Sequence, residues 1–248
     1  MPLSLLLLAS GSYEPPGLLA GLVDAKRREI DRMKLLPDAR EDGPWSLRLA
    51  YPALTYSSAL TDHLSDLTMP AVLADLKRSS PGPKLGEVEW VDQELAVAAA
   101  LQRAIGLGAA GALISTDTTT YGGSHADLSA ARQHLEAFSD AGLESPSMPI
   151  IAKDFILDPL QISRAVCQGA DAVLIVVAAA AAELPALLDT CTLLGVEALV
   201  EVHTVRELQI ALECGASLFL VNERDRATAR IVKGQVYAIP PPPPPPPP

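Results

Sequence analysis

One short pattern recurs from Gly108 onward and restricts the fold of the chain more than any other feature. A predicted helix ends at a glycine, a small residue or valine follows, and a short apolar run comes next. Glycine suits the left-handed residue that ends many helices, and an uninterrupted apolar run suits a strand that is covered on both faces. The copies begin at Gly108, Gly169, Gly195 and Gly215. Strands that alternate with helices predict right-handed crossovers and a parallel α/β sheet.

The pattern allows the strands and helices to be placed along the chain. The sequence predicts six strands, at residues 71–77, 109–115, 148–153, 171–177, 196–201 and 217–222. Apolar residues at helical spacing predict helices between them, near Asp92–Gly106, Ala126–Ser139, Pro159–Gln168, Ala181–Leu194 and Val205–Cys214. The (β/α)₈ barrel is one of the architectures that fit a chain of 248 residues.

The segments outside this repeat differ in composition. Residues 1–16 contain breakers and are expected to be a flexible lead-in. Residues 17–36 predict an amphipathic helix before the first strand, with the charged stretch 26–29 on the side away from its apolar residues. Residues 37–70 are expected to be an irregular polar extension, anchored to the body by Trp45, Tyr51 and Tyr56. Residues 234–248 form a low-complexity tail whose prolines favour exposed polyproline II, so we expect it to be disordered.

Charge and composition exclude several classes of partner. A net charge of −11 argues against binding of nucleic acid or of an anionic membrane. The apolar run Leu3–Ala9 is too short to span a bilayer, so no membrane insertion is expected. The three cysteines, at 167, 191 and 214, are odd in number and lack zinc-ligand spacing, which favours buried thiols in a reducing compartment.

Charged and polar residues follow four of the predicted strands. Asp75 and Lys77 end the first, and Lys153 ends the third. The fifth ends in Glu201-Val202-His203, and Asn222 with Arg224 follows the sixth. Any one of these could be a solvated loop charge, but the carboxyl ends of parallel barrel strands share one face, where such enzymes place their active sites. Two lysines, two carboxylates and an amide on that face predict an acid–base site.

The residues around these strand ends resemble the indole-3-glycerol phosphate synthase family. The family pattern A-E-x-K-x-x-S-P-S is similar to Ala74–Gly82, and T-D/E followed by Y-F-x-G-S is similar to Thr116–Ser124. K-D-F-I-x-x-x-Q-I matches Lys153–Ile162, L-V-E-V-H matches Leu199–His203, and I-N-N-R-D is similar to Val221–Asp225. The predicted leading helix also fits the extra helix that this family carries before its barrel.

The resemblance implies an activity and roles for individual residues. It implies conversion of 1-(2-carboxyphenylamino)-1-deoxyribulose 5-phosphate to indole-3-glycerol phosphate with loss of carbon dioxide and water, a lyase step of tryptophan biosynthesis that needs no metal or organic cofactor. The catalytic residues implied are Lys153 as general acid, Glu201 and Asp75 as proton carriers, and Lys77 as second acid or phosphate ligand. Those implied to bind the phosphorylated substrate are Asn222, Arg224, Phe155, Tyr121 and Ser80, whereas His203 is expected to be structural.

The chain also departs from the family pattern. Asp75 stands where the family has glutamate, which withdraws the carboxylate by about 1 Å, a displacement that can cost ~10²-fold in rate. Gly82 stands where the family has serine, and Glu223 stands where it has asparagine or serine. The last two strands of the family barrel have no recognisable counterpart in this sequence. The expected fold is therefore an incomplete TIM barrel over residues 71–233 with about six parallel strands.

Two alternatives follow from those departures. A catalytically impaired homologue could keep the scaffold as a structural subunit, with a protein partner covering the open sheet edges. A third possibility is a different phosphate-binding barrel enzyme, such as the neighbouring isomerase of the same pathway, but the Lys-Asp-Phe and Glu-Val-His motifs argue against it. The expected location is cytoplasmic, or the plastid stroma for a plant or algal chain.

Overall fold

The central sheet contains six parallel strands in the order in which they occur along the chain. The computed structural model describes residues 17–51, 53, 56–65, 71–81, 88–90, 96–140 and 148–222. Its strands are β1 (Leu73–Leu76), β2 (Ser79–Pro81), β3 (Val88–Trp90), β4 (Gly111–Ser115), β5 (Ile150–Lys153), β6 (Ala172–Val176), β7 (Glu197–Val202) and β8 (Leu218–Val221). The sheet order is β1-β4-β5-β6-β7-β8, and every pairing in it is parallel. The six predicted strands and the parallel, incomplete-barrel arrangement are confirmed.

Helices connect the strands of this sheet. The described helices are α1 (Leu18–Met33), α2 (Pro44–Ala50), α3 (Ala59–Ser65), α4 (Val97–Gly106), α5 (His125–Asp140), α6 (Pro159–Cys167), α7 (Val177–Ala180), α8 (Leu184–Leu194) and α9 (Val205–Glu213). The five helices predicted between the strands are present. Helix α6 begins with a capping box, in which Asp158 accepts a hydrogen bond from Leu160 N and Gln161 reaches back to Asp158 N.

A different apolar layer packs on each face of the sheet. Side chains at alternate positions point to opposite faces of a strand. On one face the leucine and isoleucine side chains of β4 to β7 form a layer with Leu60 of α3, and the strand residues in it are Leu113, Ile151, Leu174 and Leu199. The other face carries Ile114, Ala152, Val173 and Val200, which belong to the larger core that includes the surrounding helices. The first layer is the interior of the partial barrel.

The region predicted as irregular, residues 37–70, contains two helices and a 3₁₀ turn, so that prediction is wrong. Both helices have only seven residues, too few for a clear periodic pattern, and distant partners hold them. Ser163 Oγ donates to Trp45 O at 2.6 Å, and Leu60 N donates to Glu197 Oε2 at 2.6 Å. Trp45 is a buried anchor, as expected, but Tyr51 and Tyr56 are 69% and 57% exposed, so their side chains are not buried anchors.

Three further elements differ from the sequence prediction. A short antiparallel hairpin, β2 with β3, follows β1 and was not predicted. Helix α7 starts at Val177, where the predicted strand was still continuing. The leading helix ends at Met33, and its Lys26 is 3% exposed instead of lying on the solvent side.

The three cysteines differ in burial, contrary to the prediction that all are buried. Cys191 is buried, Cys214 is half-buried and Cys167 is exposed, and all three are free thiols. The predicted lead-in, residues 1–16, and the proline tail lie outside the described residues. Within the described part of the chain, no helix combines the length and the apolar character needed to cross a membrane.

Candidate active site

Three charged residues meet at the carboxyl ends of β1 and β5. Lys153 Nζ lies 2.8 Å from both carboxylate oxygens of Asp75, and Lys77 Nζ lies 2.5 Å from Asp75 Oδ2. The Lys153 side chain is 14% exposed, that of Lys77 20% and that of Asp75 33%. The carboxylate of Asp75 therefore holds both lysines at the rim of the sheet.

The alternation of side chains along the strands brings these charges together. Asp75 lies two residues after Leu73, and Lys153 lies two residues after Ile151, so each charge follows an interior apolar residue on the same face. In the register, Asp75 is opposite Leu113 and Lys153 is opposite Ser115, both on β4. The long lysine side chain then reaches back across β4 to the shorter Asp75.

The environment shifts the pKa values of two of these groups. Burial lowers the pKa of Lys153, and the charge of Lys77 lowers it further, while the carboxylates of Asp75 and Glu201 act in the opposite direction. Burial alone would raise the pKa of Asp75, but ion pairs and hydrogen bonds with Lys153 and Lys77 outweigh it, so that pKa is lowered. The site therefore holds an ionised acid beside an amine that loses its proton more readily than an ordinary lysine.

An aromatic pair lies beside the Lys153 ammonium, with the Tyr121 ring nearest to it. Tyr121 and Phe155 are stacked with their ring centroids 6.0 Å apart, and Lys153 Nζ lies 5.0 Å from the centroid of the Tyr121 ring. Phe155 is 4% exposed, and Tyr121 is half-buried. A flat apolar group could stack here next to a cation, an arrangement that favours an aromatic substrate.

A second polar group occupies the ends of β7 and β8. Glu201 Oε1 accepts a hydrogen bond from Asn222 Nδ2 at 3.0 Å and lies 2.9 Å from His203 Nε2. Glu201 is 6% exposed. The negative charge of Glu201 acts to raise the pKa of Lys153, so the carboxylate and the amine lie within electrostatic range of each other. The structural role expected of His203 stays a prediction, and the residue is in direct contact with Glu201.

Two of the residues predicted to bind substrate, Ser80 and Arg224, are not observed at either of the polar clusters described above. Ser80 is buried on β2, where its backbone is opposite Glu89 of β3. Arg224 lies outside the described residues, so its predicted role stays a prediction. Among the residues that the structure describes, no cluster of three or more His, Cys, Asp or Glu side chains could hold a metal ion.

Sequence reasoning missed a buried ion cluster next to the site. Lys26 Nζ lies 2.6 Å from Asp117 Oδ1, 2.8 Å from Asp154 Oδ1 and 2.7 Å from Glu29 Oε2. Lys26, Asp117 and Asp154 are each at least 90% buried. The signal was present in the sequence, because Lys26 lies three residues after Val23 and four before Ile30, on the apolar face of α1.

Comparison with known proteins identifies similar sequences over most of the chain. A protein-family model described as indole-3-glycerol phosphate synthase matches residues 19–241. Two similar relatives carry that name: one from Roseiflexus sp. is 35% identical over 84% of this chain and 72% of its own length, and one from Streptomyces coelicolor is 36% identical over 84% and 73%. A multifunctional tryptophan biosynthesis protein of Phanerodontia chrysosporium is 32% identical over 88% of this chain and 26% of its own length.

Similarity to solved structures is much weaker. The crystal structure of KGPDC from Streptococcus mutans has a TM-score of 0.40 and 17% identity over 60% of this chain and 64% of that one. A similarity at this level supports no conclusion about fold or function.

Proposed function

The chain belongs to the indole-3-glycerol phosphate synthase family, and we propose that it converts 1-(2-carboxyphenylamino)-1-deoxyribulose 5-phosphate to indole-3-glycerol phosphate. The reaction forms a bond between the ring carbon that bears the carboxylate and the ribulose carbonyl carbon, then releases carbon dioxide and water. It requires an acid at the carbonyl oxygen and groups that carry protons during dehydration.

Lys153 is proposed as the general acid. Attack on the ribulose carbonyl places negative charge on its oxygen, and a protonated amine can neutralise that charge by donating a proton. Burial lowers the pKa of Lys153, which brings proton donation closer to neutral pH. The observation that carries the proposal is the direct contact of Lys153 with Asp75, beside the half-buried Tyr121 ring, which offers a stacking surface for the aromatic half of the substrate.

Glu201 is proposed to carry the protons of the dehydration, with Asn222 orienting the substrate hydroxyls. Asn222 donates to Glu201 Oε1, so the amide and the carboxylate lie side by side at the ends of neighbouring strands. Lys77 is proposed as the second acid or as a phosphate ligand. Tyr121, Phe155, Ser80 and Arg224 are proposed to bind the substrate.

Asp75 is proposed to brace the two lysines. Although it is shorter than the family glutamate, it contacts both Lys77 and Lys153. Its role as a proton carrier requires one of these contacts to open when the substrate binds. Asp75→Glu restores the family residue, and the ratio of its kcat to that of the native chain measures the effect of the shorter side chain.

The test is formation of the indole product by the purified full chain. Indole fluorescence should rise on incubation with the anilino-deoxyribulose phosphate, and Lys153→Ala should abolish the rise. If the native chain gives no more product than Lys153→Ala, the proposed function is wrong and the structural-subunit alternative gains support. The protein partner at the sheet edges and the cytoplasmic or plastid location remain predictions, because the described residues bear on neither.

A further inference from the structure

The carboxylates around Lys26 hold the two loops that carry the site's aromatic residues. Asp117 Oδ2 accepts hydrogen bonds from Thr120 N at 2.6 Å and Tyr121 N at 3.3 Å, in the loop after β4. Asp154 Oδ1 accepts from Phe155 N at 2.7 Å, in the loop after β5. Asp117 therefore holds the backbone of Tyr121, whose ring lies beside Lys153, and Asp154 holds the backbone of Phe155, whose ring stacks on that of Tyr121.

These contacts form a closed chain of residues beside the candidate general acid. Lys26 joins Asp117 to Asp154, Asp117 holds Tyr121, Asp154 holds Phe155, and the Tyr121 and Phe155 rings stack on each other. Lys153 precedes Asp154 directly in the chain and lies over the Tyr121 ring. A shift between the two loops would therefore move the stacking surface relative to the Lys153 ammonium.

We propose that Lys26 is a positioning residue, which acts from α1 through Asp117 and Asp154 to keep Tyr121 and Phe155 beside Lys153. The inference rests on the proposed function only in so far as it assigns catalysis to Lys153. It also gives the leading helix a role at the active site in addition to its packing against the barrel.

The charges explain why removal of Lys26 should move the loops. Burial by itself lowers the pKa of Lys26, but the carboxylates of Asp154, Asp117 and Glu29 outweigh burial, so Lys26 stays a cation. Burial raises the pKa of Asp154, Asp117 raises it further, and Lys26 opposes both. Without the Lys26 charge the two buried carboxylates repel each other, and they must take up a proton or separate.

The decisive comparison is Lys26→Met against Arg27→Met. Arg27 is the next residue on α1 and also ties the helix to the barrel, through Glu183 Oε1 at 2.6 Å, but its side chain is 52% exposed and its ion pair involves neither loop. Steady-state kinetics should show kcat of Lys26→Met reduced by about 10- to 100-fold, because small displacements of catalytic groups have effects of this size. Arg27→Met should stay within about twofold of the native kcat.

Amide hydrogen exchange provides a measurement that does not depend on activity. In Lys26→Met, exchange should accelerate selectively at Thr120, Tyr121 and Phe155, whose N–H groups the two carboxylates hold. A role that is only structural would raise exchange across the whole of α1 and the barrel and leave the kcat of the folded fraction unchanged. That result would overturn the proposal, as would equal losses in Lys26→Met and Arg27→Met.

A substitute variant and the exchange measurement cover the cases in which Lys26→Met does not fold or the native chain makes no product. If Lys26→Met does not fold, Asp117→Asn replaces it, because it keeps Lys26 paired with Asp154 while weakening the hold on Thr120 and Tyr121. Faster exchange at these two amides in Asp117→Asn would support the proposal, and unchanged exchange would overturn it. If the native chain makes no indole product, the proposed function fails, but the exchange comparison still decides whether Lys26 positions the loops.

Discussion

At the scale of the residue, the neighbours of Lys153 determine where its ammonium lies and how readily it loses its proton. Its ammonium is buried beside one carboxylate, one further lysine and an aromatic ring, and these set both its position and its pKa. Burial and Lys77 lower that pKa, whereas Asp75 raises it. A general acid acts only while it is protonated, so the balance of these effects limits the activity on the alkaline side.

The first prediction concerns this alkaline limit. Because the pKa of Lys153 is lowered, kcat should decline with rising pH below 10.5, the ordinary lysine value. Asp75→Asn removes the largest influence that raises this pKa, so the decline should move to lower pH. The measurement is kcat against pH for both proteins. Glu136→Gln, an exposed change on α5, should leave the limit in place. A limit that stays fixed or rises in Asp75→Asn would contradict the assignment of Lys153.

Close backbone packing also matters at single residues. Gly123 lies in the loop that carries Tyr121, and its N–H donates to Asp117 O at 2.9 Å. A Cβ on Gly123 would lie well under 3.0 Å from Ser115 O, at the end of β4. A Cβ on Gly106, the last residue of α4, would meet nothing within 4 Å. The two glycines form a matched pair.

The second prediction uses that pair. Gly123→Ala should lower the free energy of unfolding by about 1–3 kcal/mol, because the loop must move away from Ser115. Gly106→Ala should be neutral or stabilise by up to ~1 kcal/mol, because alanine favours the helix. Urea denaturation of both variants measures the difference. Equal stability of the two would show that the loop tolerates a side chain at position 123.

At the scale of the element, a strand side chain on the interior face caps a distant helix. Glu197 begins β7, is 4% exposed, and accepts hydrogen bonds from Leu60 N at 2.6 Å and Thr61 N at 3.0 Å in the first turn of α3. Thr61 Oγ1 also donates to it. Helix α3 then places Leu60 in the interior apolar layer with Leu199 of β7. A seven-residue helix is too short to be stable alone, so this cap helps to keep it folded.

The third prediction tests that cap. Glu197→Gln replaces one accepting oxygen with an NH₂ group that faces backbone donors, so a buried N–H loses its acceptor. The free energy of unfolding should fall by about 1–3 kcal/mol. Glu136→Gln is the control on an exposed helix surface and should stay within about 0.5 kcal/mol. Denaturant midpoints at constant m-value decide the question, and a loss no larger than that of the control would contradict the capping role.

At the scale of the whole molecule, the strands of the main sheet lie side by side in the same order in which they occur along the chain. The helices that connect these strands pack on the face opposite the interior layer that contains Leu60 of α3. The three cysteines lie at different depths in α6, in α8 and at the end of α9. Burial raises the pKa of the Cys191 thiol to about 12. Cys167 is exposed. Reactivity of the thiols therefore reports on the integrity of the helical layer.

The fourth prediction concerns these thiols. In native buffer a disulfide reagent should modify Cys167 first and Cys214 more slowly, whereas Cys191 should react only after the chain unfolds. Cys191→Ser should remove the thiol that appears in denaturant and leave the native reaction unchanged. Mass spectrometry of the labelled peptides identifies each site. Rapid labelling of Cys191 in native buffer would show that the face of α8 that carries it is not packed against the core as described.

The main sheet and the rim of the site could be predicted from the sequence because their causes are local. Strands covered on both faces need continuous apolar runs, and helices often end at glycine, so the six strands are visible in the residues themselves. Parallel strands end on one face, which brings Asp75 and Lys153 to the same rim. The resemblance to a known family added their expected roles.

Only the tertiary structure decided which charges are buried and which short helices form. Lys26 and Asp117 are 91 positions apart, and Leu60 and Glu197 are 137 apart. The free energy of burying a charge or a helix end depends on the partner that meets it, and the fold brings that partner from elsewhere in the chain. Local sequence patterns therefore determined the sheet and its polar rim, whereas these distant pairings, which stabilise buried polar groups only in the folded chain, determined how the site is held.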